Sequence, residues 1–246
     1  MAMRVAGATT SYLSRSASLL DYNSPYTLMA WIRPEVVTGT QNIFVLSHLT
    51  STTYDSLSMA SGVLSIAAAN GSFPSGTSGS TLTAATWAHV ALVRVAQNDL
   101  RLYLNGVLDA THTTSTTSRA ALNRMLLGIW QSGGFSASDP YNGRYACIKA
   151  WSTNLSAAEI LQEISAIAPR RATGLYGWWP AFPGSSERTR DYGGAAADWT
   201  ENGTITDEDP PPVSYGAPVQ LIGLARRSLP LLPFYQPRMP YALLAR

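Results

Sequence analysis

Apolar and polar residues alternate along much of the first two-thirds of the chain, which is the pattern of half-buried β-strands. The clearest alternation places Leu100, Leu102 and Leu104 on one face of a strand and the residues between them on the other. Asn105-Gly106 follows directly, and this pair suits the two left-handed positions of a type I′ hairpin turn. The pattern therefore predicts two antiparallel strands joined by a tight turn.

A second kind of strand is apolar on both faces. In Tyr26 to Arg33, the set that contains Leu28 and the set that contains Trp31 are both apolar, and Pro34 ends the strand. A strand of this kind lies in the middle of a layered structure. Further segments with strand character are 42–47, 62–69, 87–95, 107–110, 124–130, 144–151 and 174–182. Together they predict an all-β fold.

One short helix interrupts the strands. Ser156 and Glu159 have the spacing of a capping box, and Pro169 ends the helix. Glu159 and Glu163 lie one turn apart, which favours a solvated face of the helix. The helix also carries an apolar stripe of Ile160, Leu161, Ile164 and Ile167.

The composition changes after residue 207. Residues 210–246 contain eight of the chain's fifteen prolines and no acidic residue. This proline spacing excludes a continuous helix or a central strand, yet the segment is too apolar for a solvated linker. We therefore expect residues 208–246 to form an extended arm that docks on a protein partner. The predicted docking residues are Arg226, Arg227, Leu229, Leu231, Leu232, Phe234, Tyr235 and Arg238.

The order of these segments resembles the laminin G-like family of concanavalin A-like jelly rolls. YTLMAWIRP at Tyr26–Pro34 is similar to the family's FTISAWVKP, and Trp87–Val107 is similar to WHHVALVRDGGTLRLYVNGV. NGRYACIKAWSTNLSAAEI at Asn142–Ile160 resembles NGRIDDVRIYNRALSAAEI, and Gly174–Thr204 resembles the family's closing segment. The resemblance spans residues 3–206. It implies a two-sheet antiparallel jelly-roll β-sandwich over residues 1–207, with one short helix and the extended C-terminal arm.

Members of this family use loops at the rim of the sandwich to bind sugars, protein partners or calcium. Ala146 and Cys147 stand where the family often has acidic residues, so any charge or metal role of those positions is lost here. Cys147 is the single cysteine and is expected to be a buried, unreactive thiol. Calcium could be held by loop carbonyls with Asp55 or Asp139, but no EF-hand pattern is present. No metal or cofactor is therefore predicted.

Related jelly rolls include glucanases, which carry Glu-x-Asp-x-x-Glu on one strand. None of the six glutamates here is followed two residues later by aspartate. His48, His89 and His112 lack the spacing of a metal site, and His89 lies within the strongest strand. The sequence therefore predicts a non-enzymatic protein without catalytic residues, and a glycoside hydrolase is the disfavoured alternative.

Three aromatic residues lie in or beside the loop that joins two late strands. Trp130, Phe135 and Tyr141 could present ring faces to a glycan. Alternatively, Trp130 and Tyr141 close the end of the sandwich as part of its core. The sequence leaves both interpretations open.

The composition of the chain narrows the classes of partner that we expect it to bind. The charged fraction is 13% and the net charge is +2, which does not favour nucleic acid. Neither a Sec signal nor an apolar run long enough to span a membrane is recognisable in the sequence. The first hypothesis is therefore an oligomeric structural protein of a virion, displayed on a phage capsid or tail and anchored by the arm. The second is a carbohydrate-binding module or adhesin at a virion or cell surface.

Overall fold

The computed structural model describes residues 1–20, 24–70, 77–113, 121–131, 136–194 and 197–211. The strands within these ranges form two antiparallel sheets that pack face to face. The predicted all-β sandwich is therefore confirmed. In chain order the strands are β1 (Ala2–Ala6), β2 (Tyr12–Leu20), β3 (Tyr26–Pro34), β4 (Thr40–Ser47), β5 (Thr53–Ala60), β6 (Val63–Asn70), β7 (Thr77–Thr81), β8 (Ala88–Ala96), β9 (Asp99–Leu104), β10 (Val107–Thr113), β11 (Leu122–Leu127), β12 (Asn142–Trp151), β13 (Leu175–Trp179), β14 (Thr200–Asn202) and β15 (Ile205–Glu208). The helices are α1 (Ala157–Ile164) and α2 (Ser185–Arg188).

Strands distant in sequence are neighbours in both sheets, as in a jelly roll. The eight-stranded sheet has the order β10-β9-β8-β3-β12-β1-β15, and β13 pairs with the second half of β12. The seven-stranded sheet has the order β14-β2-β11-β4-β5-β6-β7. The predicted hairpin joins β9 to β10, and Asn105 and Gly106 have φ values of 50° and 84°. The type I′ prediction is thus confirmed.

The main core lies between the two sheets. Leu28, Ala30 and Ile32 of β3 enter this core, whereas Met29 faces the opposite side. On that outer side, Met29 packs with Trp151 of β12 in a second cluster. The prediction of a strand buried on both faces is therefore confirmed. Its outer face is buried because a helix covers that side of the eight-stranded sheet.

Helix α1 is that cover, and it begins with the predicted capping box at Ser156 and Glu159. Ile160 enters the outer cluster, but the prediction that Glu163 lies on a solvated face is wrong. Glu163 is buried, and its Oε2 accepts a hydrogen bond of 2.7 Å from Lys149 Nζ. Lys149 also donates to the carbonyls of Glu163 and Ala166, so all three ammonium protons have acceptors.

A bulge divides β12 at Cys147. The register of β12 against β3 shifts between Ala146 and Lys149, and Cys147 has a φ of 50°. Ala146 and Cys147 consequently both pack against Ala2 outside the main core. Burial raises the pKa of the Cys147 thiol, which is 3% exposed, so the expected buried thiol is present.

A buried ion pair joins the two sheets. Arg94 of β8 donates from Nε to Oδ2 of Asp55 of β5 over 2.8 Å, and Tyr26 donates to the same oxygen over 2.8 Å. The exposed fractions of the two charged side chains are 1% and 0%. Asp55 is thus a core residue that is fully engaged with a cation, and it is not available for the loop calcium site considered above.

The C-terminal part of the sandwich extends slightly past the predicted boundary at residue 207. Strand β15 includes Glu208, which pairs with Arg144, while Asp207 pairs with Arg188. Helix α2 was not predicted from the sequence. The eight predicted docking residues of the arm, Arg226, Arg227, Leu229, Leu231, Leu232, Phe234, Tyr235 and Arg238, lie outside the described residues.

Candidate functional site

The outer face of the seven-stranded sheet carries two rows of cross-strand neighbours. Directly paired residues of antiparallel strands share a face, so the register identifies these rows. One row runs through Ser16, Arg124, Ser47, Tyr54 and Ala69 on strands β2, β11, β4, β5 and β6. The adjacent row consists of Ser14, Leu126, Val45, Ser56 and Ala67 on the same strands. The two rows contain one charged side chain, that of Arg124.

The chain that follows β11 folds onto this face. Gly128 has a φ of 85°, a left-handed conformation that turns the backbone after the strand. Ile129 is then buried in the cluster that contains Val45 and Leu126. Trp130 packs edge-on against Tyr54, with ring centroids 6.0 Å apart, and bridges to Ser138.

Gln131 connects this segment to Arg124. Ser47 donates from its hydroxyl to the Gln131 carbonyl over 3.0 Å and so holds the backbone of Gln131 on the sheet. Arg124 Nη2 donates to Oε1 of Gln131. Partial burial lowers the pKa of Arg124, and Tyr12 acts in the opposite direction. Trp130, Gln131, Arg124 and Tyr12 are all half-buried, and we call this group the Trp130 surface.

The three predicted glycan-contacting aromatics have different positions. Trp130 lies half-buried on the surface just described and packs against the cluster of Val45 and Tyr54. Tyr141 does not: it is 0% exposed and packs 5.1 Å from the ring of Tyr145 in the main core. Its ring fits there because Gly143 has no side chain, and a Cβ at that position would approach the Tyr141 ring to 2.3 Å. Phe135 lies outside the described residues.

A second aromatic group is occupied by a cation of the chain itself. The guanidinium carbon of Arg15 lies 4.6 Å from the ring centroid of Tyr176, 5.1 Å from that of Trp179 and 5.9 Å from that of Trp199. Arg15 also donates to the Tyr176 hydroxyl. These aromatic residues are therefore engaged in cation–π packing that closes one edge of the sandwich.

All six glutamates of the chain form ion pairs, and this includes those weighed above for catalysis. Glu35, Glu159, Glu163, Glu187, Glu201 and Glu208 each lie within 4.0 Å of an arginine or lysine nitrogen. Within the described part of the chain, no group of three or more histidine, cysteine, aspartate or glutamate residues is arranged to hold a metal ion. Among the helices of that same part, none combines the length and the apolar character needed to cross a membrane.

Comparison with protein families agrees with this architecture. The model of the concanavalin A-like lectin/glucanases superfamily, of laminin G type, matches residues 7–161, which is more than half of the chain. The chain belongs to this superfamily. The resemblance predicted from the sequence is thus confirmed, and the superfamily match includes the whole of β2 to β12 and most of α1. A search of curated proteins finds no match.

Solved structures share the superfamily fold at low sequence identity. A candidate carbohydrate-binding protein of Bacteroides ovatus is 17% identical with a TM-score of 0.63; the alignment covers 88% of this chain and 62% of that protein. This chain therefore spans less than two thirds of the length of that relative. A heptameric SAP-like pentraxin of Limulus polyphemus is 16% identical with a TM-score of 0.58, over 83% of this chain and 92% of the pentraxin.

Sequence reasoning missed Arg124 and Gln131 as members of the surface. The sequence did contain a signal for Arg124. It lies two residues before Leu126 in one predicted strand and therefore shares a face of the sheet with it. The neighbours of Arg124 on β2 and β4 could not be read from the sequence, since they depend on strand order.

Proposed function

We propose that this protein is a non-enzymatic glycan-binding module and that the Trp130 surface is its binding site. The observation that carries the proposal is the half-buried indole of Trp130, fixed against Tyr54 and flanked by the polar side chains of Gln131 and Arg124. The relative from Bacteroides ovatus, itself a candidate carbohydrate-binding protein, gives additional support.

The chemistry of sugars suits this arrangement. A pyranose ring presents C–H groups on its face and hydroxyls at its rim, so it is recognised by an aromatic face together with hydrogen-bonding groups. Trp130 would supply the aromatic surface, and the edge-on contact with Tyr54 would fix its orientation. The amide of Gln131 and the guanidinium of Arg124 would bind hydroxyls at the rim.

The state of the carboxylates supports a binding role rather than glycoside hydrolysis. A hydrolase of the two-carboxylate type needs one carboxyl group whose pKa is raised, so that it can donate a proton. Each glutamate of this chain is instead held in an ion pair with an arginine or lysine.

A glycan array with Trp130→Ala tests the proposal. We expect the wild-type chain to bind a subset of glycans and the variant to bind them roughly 30-fold more weakly, corresponding to about 2 kcal/mol for an aromatic anchor. Trp87→Ala is the matched control, because Trp87 is also half-buried but packs with the cluster around Ala2 and Cys147 on the other sheet.

The control variant should bind like the wild type. Absence of wild-type binding to every glycan on the array would overturn the proposal. Equal losses in the two tryptophan variants would also contradict it, because the Trp130 surface would then have no special role.

We further propose that the chain is part of a larger assembly, with a phage virion as the specific hypothesis. In this proposal the arm predicted over residues 208–246 docks on another protein of that assembly through its part beyond residue 211. The position of β15 favours this arrangement. Among the described strands, β15 lies at the edge of its sheet, and the described chain ends at residue 211, close after this strand. The apolar residues of the arm would provide the affinity, and its arginines would orient it.

Native particles that contain the protein provide the test. The full chain should co-sediment with the particles. A chain that ends at residue 211 should fold but should no longer co-sediment with them. Recovery of the full chain only as a free monomer from its natural source would refute the assembly hypothesis.

A further inference from the structure

Arg124 differs from most arginines of the described chain in lacking a carboxylate partner. Arg94 and Arg144 illustrate the usual situation, with one and two acidic partners. The hydrogen-bond acceptor of Arg124 is instead the neutral amide oxygen of Gln131, and among the described residues no ion pair includes Arg124. Within the described part of the chain, its guanidinium is therefore a half-buried cation without a carboxylate partner.

Partial burial also disfavours the charged form of Arg124. Desolvation lowers the pKa of its guanidinium, and Tyr12 acts in the opposite direction. Arg15 is also partly desolvated, but Asp191 and Asp198 favour its charged form. An anion that reached Arg124 would thus supply an interaction that the described residues do not provide.

In the described register, the residues paired with Arg124 carry no acidic group. Serines flank Arg124 in the register on both sides, at Ser16 and Ser47, and the next residue of the row is Tyr54. The one aspartate of β5, Asp55, points to the opposite side of the sheet and bonds to Arg94. A guanidinium has five donors in a planar fork that matches the two oxygens of a carboxylate, and Gln131 accepts from one nitrogen of that fork.

We propose that the Trp130 surface binds acidic sugars and that Arg124 pairs with the sugar carboxylate while Trp130 contacts the ring. This inference rests on the proposed glycan-binding function and adds the class of ligand. Gln131 is the positioning residue, because it fixes the guanidinium and is itself held by Ser47.

Pairs that consist of an acidic glycan and a neutral counterpart provide the test. The probes are trigalacturonate and its methyl ester, sialyllactose and lactose, and sulfated lactose and lactose. Wild type should bind each carboxylated member about 10- to 100-fold more tightly than its neutral counterpart, the range expected for hydrogen bonds to charged groups. Arg124→Gln should remove this preference, because it should lower the affinity for each carboxylated member about 10- to 100-fold more than the affinity for its neutral counterpart.

Arg101→Gln is the matched control, because Arg101 lies on the other sheet and already pairs with Asp99. It should keep the wild-type preference, and thermal unfolding should show that both arginine variants are folded. Equal binding of the acid and its methyl ester would overturn the proposal of acidic sugars while leaving glycan binding intact. Tight binding of only the sulfated probe would also overturn it, and failure of every probe and every array glycan to bind would remove the proposed function as well.

Discussion

At the scale of single residues, the most consequential groups are charges inside the sandwich. Asp55 neutralises Arg94 between the sheets, and both side chains are almost completely buried. Asp55→Ala would leave a buried guanidinium without its counter-ion, which costs about 3–5 kcal/mol of unfolding free energy. Urea unfolding measures this loss. Asp99→Ala removes a half-exposed partner of Arg101 and should cost less than about 1 kcal/mol, so similar losses in the two variants would contradict the assigned role of Asp55.

His89 gives the stability of the chain a defined pH dependence. It is 2% exposed, and burial is the main reason that its pKa falls from 6.5 to about 3. The unfolded chain takes up a proton at this residue below about pH 6.5, while the folded chain does not until about pH 3. The contribution of His89 to stability is therefore lost as the pH falls through that interval.

We expect about 2 kcal/mol of the decrease in unfolding free energy between pH 7 and pH 5 to come from His89. Urea unfolding gives the unfolding free energy of the wild type and of His89→Gln at both pH values. The contribution of His89 is the difference between the two proteins in how far that free energy falls from pH 7 to pH 5. If the unfolding free energy fell equally in the wild type and in the His89 variant, His89 would be protonated in the folded state as well as in the unfolded state.

At the scale of elements, α1 is attached to the eight-stranded sheet by Lys149 and Glu163 as well as by Ile160. Lys149→Met should reduce the unfolding free energy by about 3–5 kcal/mol, because Glu163 then remains buried without its cation. Adding Glu163→Leu should recover part of that loss. Arg171→Met is the control, since Arg171 pairs with Glu159 at the exposed start of the same helix. Additive losses in the double variant would show that Lys149 and Glu163 are not coupled.

Local signals in the sequence were sufficient for several elements. The two-sided apolarity of β3, the Asn105-Gly106 turn and the capping box at Ser156 each depend on residues within a few positions of one another. The contacts of Glu163 could not be predicted from such local signals. Its partner Lys149 lies on β12, and the bulge at Cys147 sets the direction of the Lys149 side chain. Tyr141 was ambiguous for a similar reason: its burial depends on the space above Gly143.

At the scale of the whole molecule, the sandwich is closed by its last described strand. β15 pairs with β1 and contributes ion pairs through Asp207 and Glu208, and Ile205 is 6% exposed. Deletion of residues 212–246 should therefore change the melting temperature by only about 2 °C. Deletion of residues 205–246, which removes β15, should lower it by roughly 10 °C. Comparable destabilisation by the shorter deletion would mean that the arm belongs to the fold.

The family and the sandwich could be predicted from the sequence because motif order survives at low identity. The binding surface could be predicted only in part. Trp130 was identified as an aromatic beside a loop, but its association with Arg124 arises from three strands that the fold brings together and from the turn at Gly128. No local pattern of the chain encodes that proximity.

The burial of Cys147 and Lys149 has a consequence for chemical labelling. They are the single thiol and the single lysine amine of the chain, two positions apart on β12, with exposures of 3% and 1%. In the native state neither should react with maleimide or with an amine acylating reagent until β12 opens. The rates of the two modifications, followed by mass spectrometry, would therefore report how often the centre of the eight-stranded sheet separates from its cover.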